Sequence, residues 1–551
     1  MEAPRVAPLH QLDDRPLRLA IDEDYDGSVR VVVDVTSPAT RNSTERTALL
    51  MAGESMRRAH EYVDLKTLVM QMTGAERRAV LQDASTPTMV FVKQETKEMA
   101  AMAVPLMLVV LLEQLPNVAI MAMLGQIDPA HSTEILAACG VAGIFQTVLF
   151  SGIARGLAGA LDTVCAQSYG AKRYVEFWLY VQAGVLMLAA CFPVMIAILL
   201  NGAQIAHWLG QDPAIAKKAA PLQAILLLTL PMFMIVLVQK SALQAQGVTK
   251  PLAAASLVSW VVALPAAYVL GFHTSLGYIG INLSSVLNYV VQALILHQIV
   301  KENEVYRTSW PGWRFDEAAL LLRKLAPLGG SNLLMTSFQM LGLIMVSLLL
   351  GILPDPALPT AVNGIFSSVA VLSWAPMLGL CIAGTIRMGN ALGAGQARRA
   401  SVITQVLLGL SFSVATIGTI AIVSLAAPIS RFFTADQEIV KATIKLFHSC
   451  AIVIPIVGSV FTLQGIFRAC GEQWYGAKLL GACLLVLGAP LSVFLASHLE
   501  LGIAGLWYGN CLGTVAMIVS TGLWLYRLNW DEMARNARLN THLQPHAADT
   551  A

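Results

Sequence analysis

Glu113 is a carboxylate set some fifteen residues into a long apolar run. Asn117 follows it at i+4, on the same face of a helix. Pro116 has no N–H to donate to the carbonyl of Leu112 and its ring crowds that carbonyl, so a helix through this stretch is expected to kink. A carboxylate, an amide and a freed carbonyl then lie together, a set that can hold a proton or a small cation. An ionisable side chain within a membrane span costs at least ~2.5–3.5 kcal/mol on insertion scales, which makes Glu113 and Asn117 candidates for ion coupling. Two other roles stay open for Glu113. It pairs with Arg155 and only locks two helices, or it lies at the lipid interface or in a loop.

Amides supply most other polar positions in the apolar runs. Gln146, Gln244, Asn282, Gln339, Asn363 and Gln464 are the candidates for lining a substrate cavity. Their plainer role is to bond helix to helix, at about 1 kcal/mol each. Trp260, Trp374, Phe145 and Phe338 could wall a site for an organic cation, or simply pack. A third group is a repeated stretch. Ala160–Tyr174 ends an apolar run with small residues, one charge, a Gly-Ala pair and two cations, and Gly384–Ala400 does the same some 225 residues later. Asp162, Arg387 and Asn390 in these stretches are candidates for a cytoplasmic gate, and the small residues for close helix approach.

These residues need spans to hold them. The 551 residues are 56% hydrophobic and 13% charged, about half the ~25% charge of a soluble protein. A spanning helix needs about 20 apolar residues, and twelve runs qualify: 99–123, 135–158, 174–200, 219–239, 250–271, 278–300, 325–351, 361–385, 401–425, 444–467, 477–498 and 503–526. The fold class is therefore an all-α integral membrane protein in the lipid bilayer. The charged stretch 301–324 falls midway. Leu124–Ala130 echoes Leu350–Ala357, Pro231 echoes Pro455, Pro265 echoes Pro490 and Leu276–Gly280 echoes Leu501–Gly505, at offsets between 220 and 227. The halves read as parallel six-helix repeats about an axis along the membrane normal, an arrangement of transporters with a midplane site. The expected divisions are a disordered or weakly helical tail at 1–95, an N-lobe at 96–310, a C-lobe at 311–528 and a tail at 529–551.

One set of loops carries most of the cations, Lys93, Lys97, Lys172, Arg173, Lys240, Lys250, Arg387, Arg398, Arg399, Arg468, Lys478 and Arg527 among them, which places that side and both termini in the cytoplasm. No cleavable signal peptide is visible. The net charge of +2 gives no field for nucleic acid. The eight cysteines show no zinc spacing and read as small buried hydrophobes. No GxSxG, HExxH or P-loop is present, so the chain reads as a non-enzyme without a cofactor or metal, driven by an ion gradient.

Ala158–Lys172, Gln239–Leu252, Gly351–Pro356, Arg387–Gly395 and Gly465–Gly471 resemble, in order, the motifs of eukaryotic MATE (multidrug and toxic compound extrusion) transporters. The resemblance covers about 97 to 527. It implies a two-lobe antiporter with a central cleft, exporting organic cations, xenobiotics or amphipathic metabolites in exchange for protons or, less often, sodium. A monomer is expected, in the plasma membrane or alternatively the vacuolar membrane. The family's acidic positions in the seventh and tenth helices fall at Gln339, Ile344 and Val457 here, and its first-helix glutamine at Glu113. Coupling has then moved to Glu113, or the ion and substrate preferences differ. A lipid-linked precursor flippase, predicting extra helices or a more cationic cavity, and a non-transporting receptor or scaffold are the competing readings.

Overall fold

The computed structural model describes residues 18–23, 29–34 and 80–541, apart from 81, 84, 129–130, 209–212, 354–356 and 435. Among the described residues, twelve helices are long and apolar enough to cross a membrane. They are α1 (Thr88–Ile127), α2 (Glu134–Gly170), α3 (Tyr174–Leu200), α4 (Pro213–Ala245), α5 (Lys250–Phe272), α6 (Tyr278–Glu302), α7 (Phe315–Ile352), α8 (Leu358–Gly393), α9 (Ala397–Ser424), α10 (Val453–Cys470), α11 (Gln473–Ser497) and α12 (Gly502–Arg527). A further amphipathic helix, α13 (Trp530–Thr541), follows.

The count matches the apolar runs; several limits do not. Helices continue where hydrophobicity stops. α1 starts at Thr88, so Glu95, expected in the tail, lies within it together with Glu98. α4 extends to Ala245 and takes in Lys240, which the charge pattern had placed in a loop. The run 444–467 is two helices, Gln437–Ser449 and α10, broken at Cys450–Ile452. Pro455 stands in the first turn of α10, where a missing N–H leaves no helical bond unmade.

The charged midpoint is shorter and more ordered than a linker. A helix at Glu304–Ser309 is capped by Asn303, whose side chain accepts from the N–H groups of Val305 and Tyr306 at 2.9 and 3.3 Å. α3 holds the segment down. Trp178 Nε1 donates to the Val305 carbonyl at 3.3 Å, and Gln182 bonds both the Gly312 carbonyl and the Arg314 N–H, at 2.7 and 2.8 Å.

Near the N-terminus, where the sequence reading expects disorder or weak helix, Arg18–Glu23 and Val29–Asp34 pair as antiparallel strands β1 and β2, with Arg18 opposite Asp34. The valines of β2 suit a strand.

Three large apolar clusters and two small ones hold the described helices. One is built by α2–α6 with the leading turns of α7, including Ala318, Leu321 and Leu325. A second joins the leading turns of α1 (Phe91, Met99, Ala103, Leu106) to α8–α11 and α13. A third closes the far end of the second half around Phe366, Phe447 and Trp507. The first helix of each half thus leans its leading turns on the other half. Residues Thr147–Ala154 of α2 are wound as a π-helix, a device that re-aims side chains and recurs at functional sites.

Candidate functional site

Glu113 sits on α1 beside a polar cavity of about 380 Å³. Its carboxylate is held by cations on two other helices. Lys240 Nζ of α4 lies 2.6 Å from Oε1, and Arg155 Nη2 of α2 lies 3.4 Å from Oε2. The contact with Arg155, one of the alternatives the sequence left open, is present, but Lys240 is the nearer partner. Arg155 follows the π-wound segment directly and also stands 6.0 Å from the centroid of the Phe233 ring. The side chain of Asn117 lies outside the described residues.

The cavity gathers side chains from both halves. Gln146 and Gln244 line it, as expected, with Asp162, Ser241, Asn288, Gln292 and the aromatic rings of Phe150, Phe233, Trp260 and Tyr289. α8 contributes Leu378 and Ile382, and α10 contributes Arg468. Asp162, expected at a cytoplasmic gate, is at the cavity wall and accepts from Ser241 Oγ at 2.8 Å. Lys240, Arg468 and Asn288 escaped the sequence reading as site residues. Both cations end apolar runs, where a charge ordinarily marks the membrane surface. For Lys240 the usable signal was the run Ser241–Ala245, which holds no helix breaker; the helix of Arg468 ends two residues on, at Cys470, and gave no such signal.

The other amide candidates are elsewhere. Gln464 Nε2 donates to Gln339 Oε1 at 2.8 Å, and Gln339 lines a crevice of about 10 Å³ with Trp374, Val457 and Asn510. That volume is about one water. Asn363 is fixed between Ser347 Oγ and Trp507 Nε1, at 3.2 and 3.1 Å. Asn282 donates to the Tyr278 carbonyl at 2.8 Å on its own helix. Of the positions where the resemblance implies carboxylates, Gln339 is hydrogen-bonded, Val457 borders the same crevice and Ile344 is exposed. The cavity's carboxylates are in the first half; the second half contributes Arg468 to the cavity and pairs its amides away from it.

Beyond the cavity, one end of the bundle is sealed in layers. In the first, Thr163 Oγ1 and Gln167 Nε2 of α2 donate to the carbonyls of Arg468 and Ala469, at 2.7 and 3.0 Å, and Gln473 Nε2 donates to Thr163 Oγ1 at 2.8 Å. In the second, the repeated glycine stretches cross. A Cβ on Gly170 would fall 2.6 Å from Asn390 Cα, and one on Gly393 2.7 Å from the Gln167 carbonyl carbon. Asn390 also donates to the Ala245 carbonyl at 3.3 Å. The third layer is α13. Arg538 Nη2 donates to the Ala394 carbonyl at 2.7 Å, against Gly395, whose φ of 74° suits glycine.

Arg387 is absorbed by a buried cluster rather than by Asp162. It grips Glu95 with Nε and Nη2 at 3.1 and 2.7 Å, and Arg399 reaches the same carboxylate at 2.6 Å. Glu98 pairs with Arg387 as well. Nearby, Asp83 accepts from the N–H groups of Arg398 and Arg399 at 3.0 and 2.9 Å, capping α9. Burial pushes the Asp83 carboxyl above its usual range, against the pull of those N–H groups and charges.

Twelve spanning helices around a polar cavity sealed at one end are the build of a polytopic membrane transporter. The MatE family profile matches residues 105–269 and again 327–494. The chain belongs to the MatE family, and is a transporter rather than an enzyme. It is 28% identical to Protein DETOXIFICATION 17 of Arabidopsis thaliana over 82% of this chain and 94% of the relative. It is 27% identical to Multidrug and toxin extrusion protein 1 of Oryctolagus cuniculus over 71% of this chain and 69% of the relative. Among solved structures it is similar to the eukaryotic MATE transporter AtDTX14, with a TM-score of 0.76 at 22% identity over 82% of this chain and all of the other (100%). It is also similar to the Vibrio cholerae MATE transporter VcmN in the bent form, with a TM-score of 0.72 at 16% identity over 82% of this chain and 99% of the other. At these identities the solved structures establish the fold.

Proposed function

We propose that the chain is a secondary active antiporter that exports amphipathic organic solutes by alternating access, with Glu113 binding the coupling proton. The observation that carries this reading is the bridging of Glu113 to Lys240 and Arg155 on two other helices. A proton on Glu113 removes the charge that both cations hold, and so loosens α2 and α4 from α1 together. One protonation then biases a packing that involves three helices. Sodium is the alternative ion. The names of the relatives, multidrug and toxin extrusion among them, support organic solutes as cargo.

In this reading the sealed end is cytoplasmic, in keeping with the cations Lys172, Arg173, Arg398 and Arg399. The state described then faces outward, with both termini inside. The protein works as a monomer of two lobes, 96–310 and 311–528, in the plasma membrane. Liposomes holding purified protein, with an imposed pH gradient and a panel of cationic and anionic dyes, test the proposal. Glu113→Gln is expected to keep dye binding and lose gradient-driven flux by at least ~10-fold, since one group supplies the linkage. Flux in Glu113→Gln that still follows the gradient as in wild type would refute Glu113 as the coupling group.

A further inference from the structure

The cavity carries three cations, Arg155, Lys240 and Arg468, against two carboxylates, Glu113 and Asp162, a balance of +1. Both carboxylates are engaged, Glu113 by Lys240 and Arg155 and Asp162 by Ser241. At Glu113 an organic cation would have to displace a tethered lysine and arginine, and at Asp162 it would enter the field of Arg468. Arg468 is in the opposite condition. Arg468 lines the cavity, yet its Nη2 reaches only the Cys381 sulfur at 3.5 Å, a weak acceptor. Its Nε is buried without a partner, and no carboxylate pairs with it among the described residues. Asp162 lies within its field but not in contact. A partly desolvated guanidinium short of acceptors is costly, and its planar fork suits a carboxylate, sulfonate or phosphate.

A second group points the same way to a ligand. Asn288 on α6 lines the cavity, is 3% exposed, and its Oδ1 has no partner. Phe150, Phe233, Trp260 and Tyr289 supply an aromatic wall.

We infer that the cavity takes an amphipathic organic anion, its acidic group on Arg468 and its apolar or aromatic body against the α4–α6 wall, with Asn288 accepting from a donor on that body. The inference rests on the transport reading for the purpose of the site, but its test does not require flux. The full chain in detergent is titrated with an aromatic sulfonate dye and with a quaternary ammonium dye of similar size, read by fluorescence anisotropy. The sulfonate is expected to bind saturably and at least ~10-fold more tightly than the ammonium. Arg468→Gln should weaken it by at least ~10-fold and Arg468→Lys by less, as a lost fork and a lost charge predict. Displacement by a soluble aromatic carboxylate marks a free solute, and by a short-chain phosphatidic acid a lipid-borne one; both uphold the class. Equal or tighter binding of the ammonium, no binding of either dye, or unchanged sulfonate affinity in Arg468→Gln overturns it. Should Arg468→Gln not yield monodisperse protein, the wild-type comparison of the two dyes decides alone. Sulfonate binding without gradient-driven flux would sink the export reading and leave this one standing.

Discussion

Gly393→Ala puts one methyl group where two helices of opposite halves cross. The added Cβ would sit 2.7 Å from the carbonyl carbon and 2.8 Å from the Cα of Gln167, with the carbonyl oxygen nearer still. Carbon atoms pack at about 3.5–4.0 Å, so α2 and α8 must part by about 1 Å. All three atoms are backbone, and no rotamer change can yield. Overpacking of this kind costs about 1–3 kcal/mol. The penalty falls only on the state in which this end is sealed. It therefore moves the sealed-to-open ratio by about 5- to 150-fold. Spin labels at Val175 and Arg398, both exposed and on opposite halves, report the separation. The expected result is a shift of the distance distribution to longer values, with loss of transport in proportion. Gly364→Ala, on the same helix with nothing within 4 Å of the new Cβ, serves as the control and should leave both unchanged. A Gly393→Ala distribution that overlays wild type would show that the crossing does not hold this end shut.

Two further outcomes follow from the sealed end. Glu95 is fully buried between Arg387 and Arg399, so Glu95→Gln leaves two guanidinium groups sharing the more exposed Glu98. The arginines keep some solvent, so the loss should fall near the lower end of the ~3–5 kcal/mol for a broken buried pair, seen as a lower apparent Tm in detergent; an unchanged Tm would refute the cluster's role. Arg538→Ala removes a charged donor from the Ala394 carbonyl, worth about 1.5–3 kcal/mol. Amide exchange across 391–400 should accelerate, and unchanged exchange would mean that α13 does not brace the seal.

Much of the architecture was written in composition. A span must be about 20 apolar residues long, so twelve spans can be counted without a structure. Glu113 stood out because a charge deep in such a run is costly, whether it couples an ion or only pairs with Arg155. Lys240 and Arg468 stood at the ends of their runs, and a cation at the end of an apolar run is what a membrane surface also produces. Only the continuation of α4 through Ser241–Ala245, all buried, turns Lys240 inward. Glu95 had the same disguise at the start of α1. The Gln339–Gln464 bond joins residues 125 apart in the chain, a pairing that periodicity along one helix does not carry. The crossing of Gly170 with Asn390 was half legible: repetition marked the stretches, and the contact had to be seen.

The charge class of the cargo and the direction of ion coupling turn out to be one question. An organic cation and a proton compete for the same carboxylate, and that competition is the usual logic of exchange. At Glu113 the competition already includes Lys240 and Arg155, fixed to the chain at 2.6 and 3.4 Å. A proton there releases both cations into a cavity that also holds Arg468 and Asp162 and borders Tyr289. An anion would then bind better with the proton than without it. Charge alone also helps such a cargo out, since one negative charge leaving across 100 mV, inside negative, gains about 2.3 kcal/mol. If the cargo is an anion, the proton at Glu113 therefore acts as a release for Lys240 and Arg155, and exchange must come from which loaded states can open the glycine seal rather than from rivalry at a carboxylate.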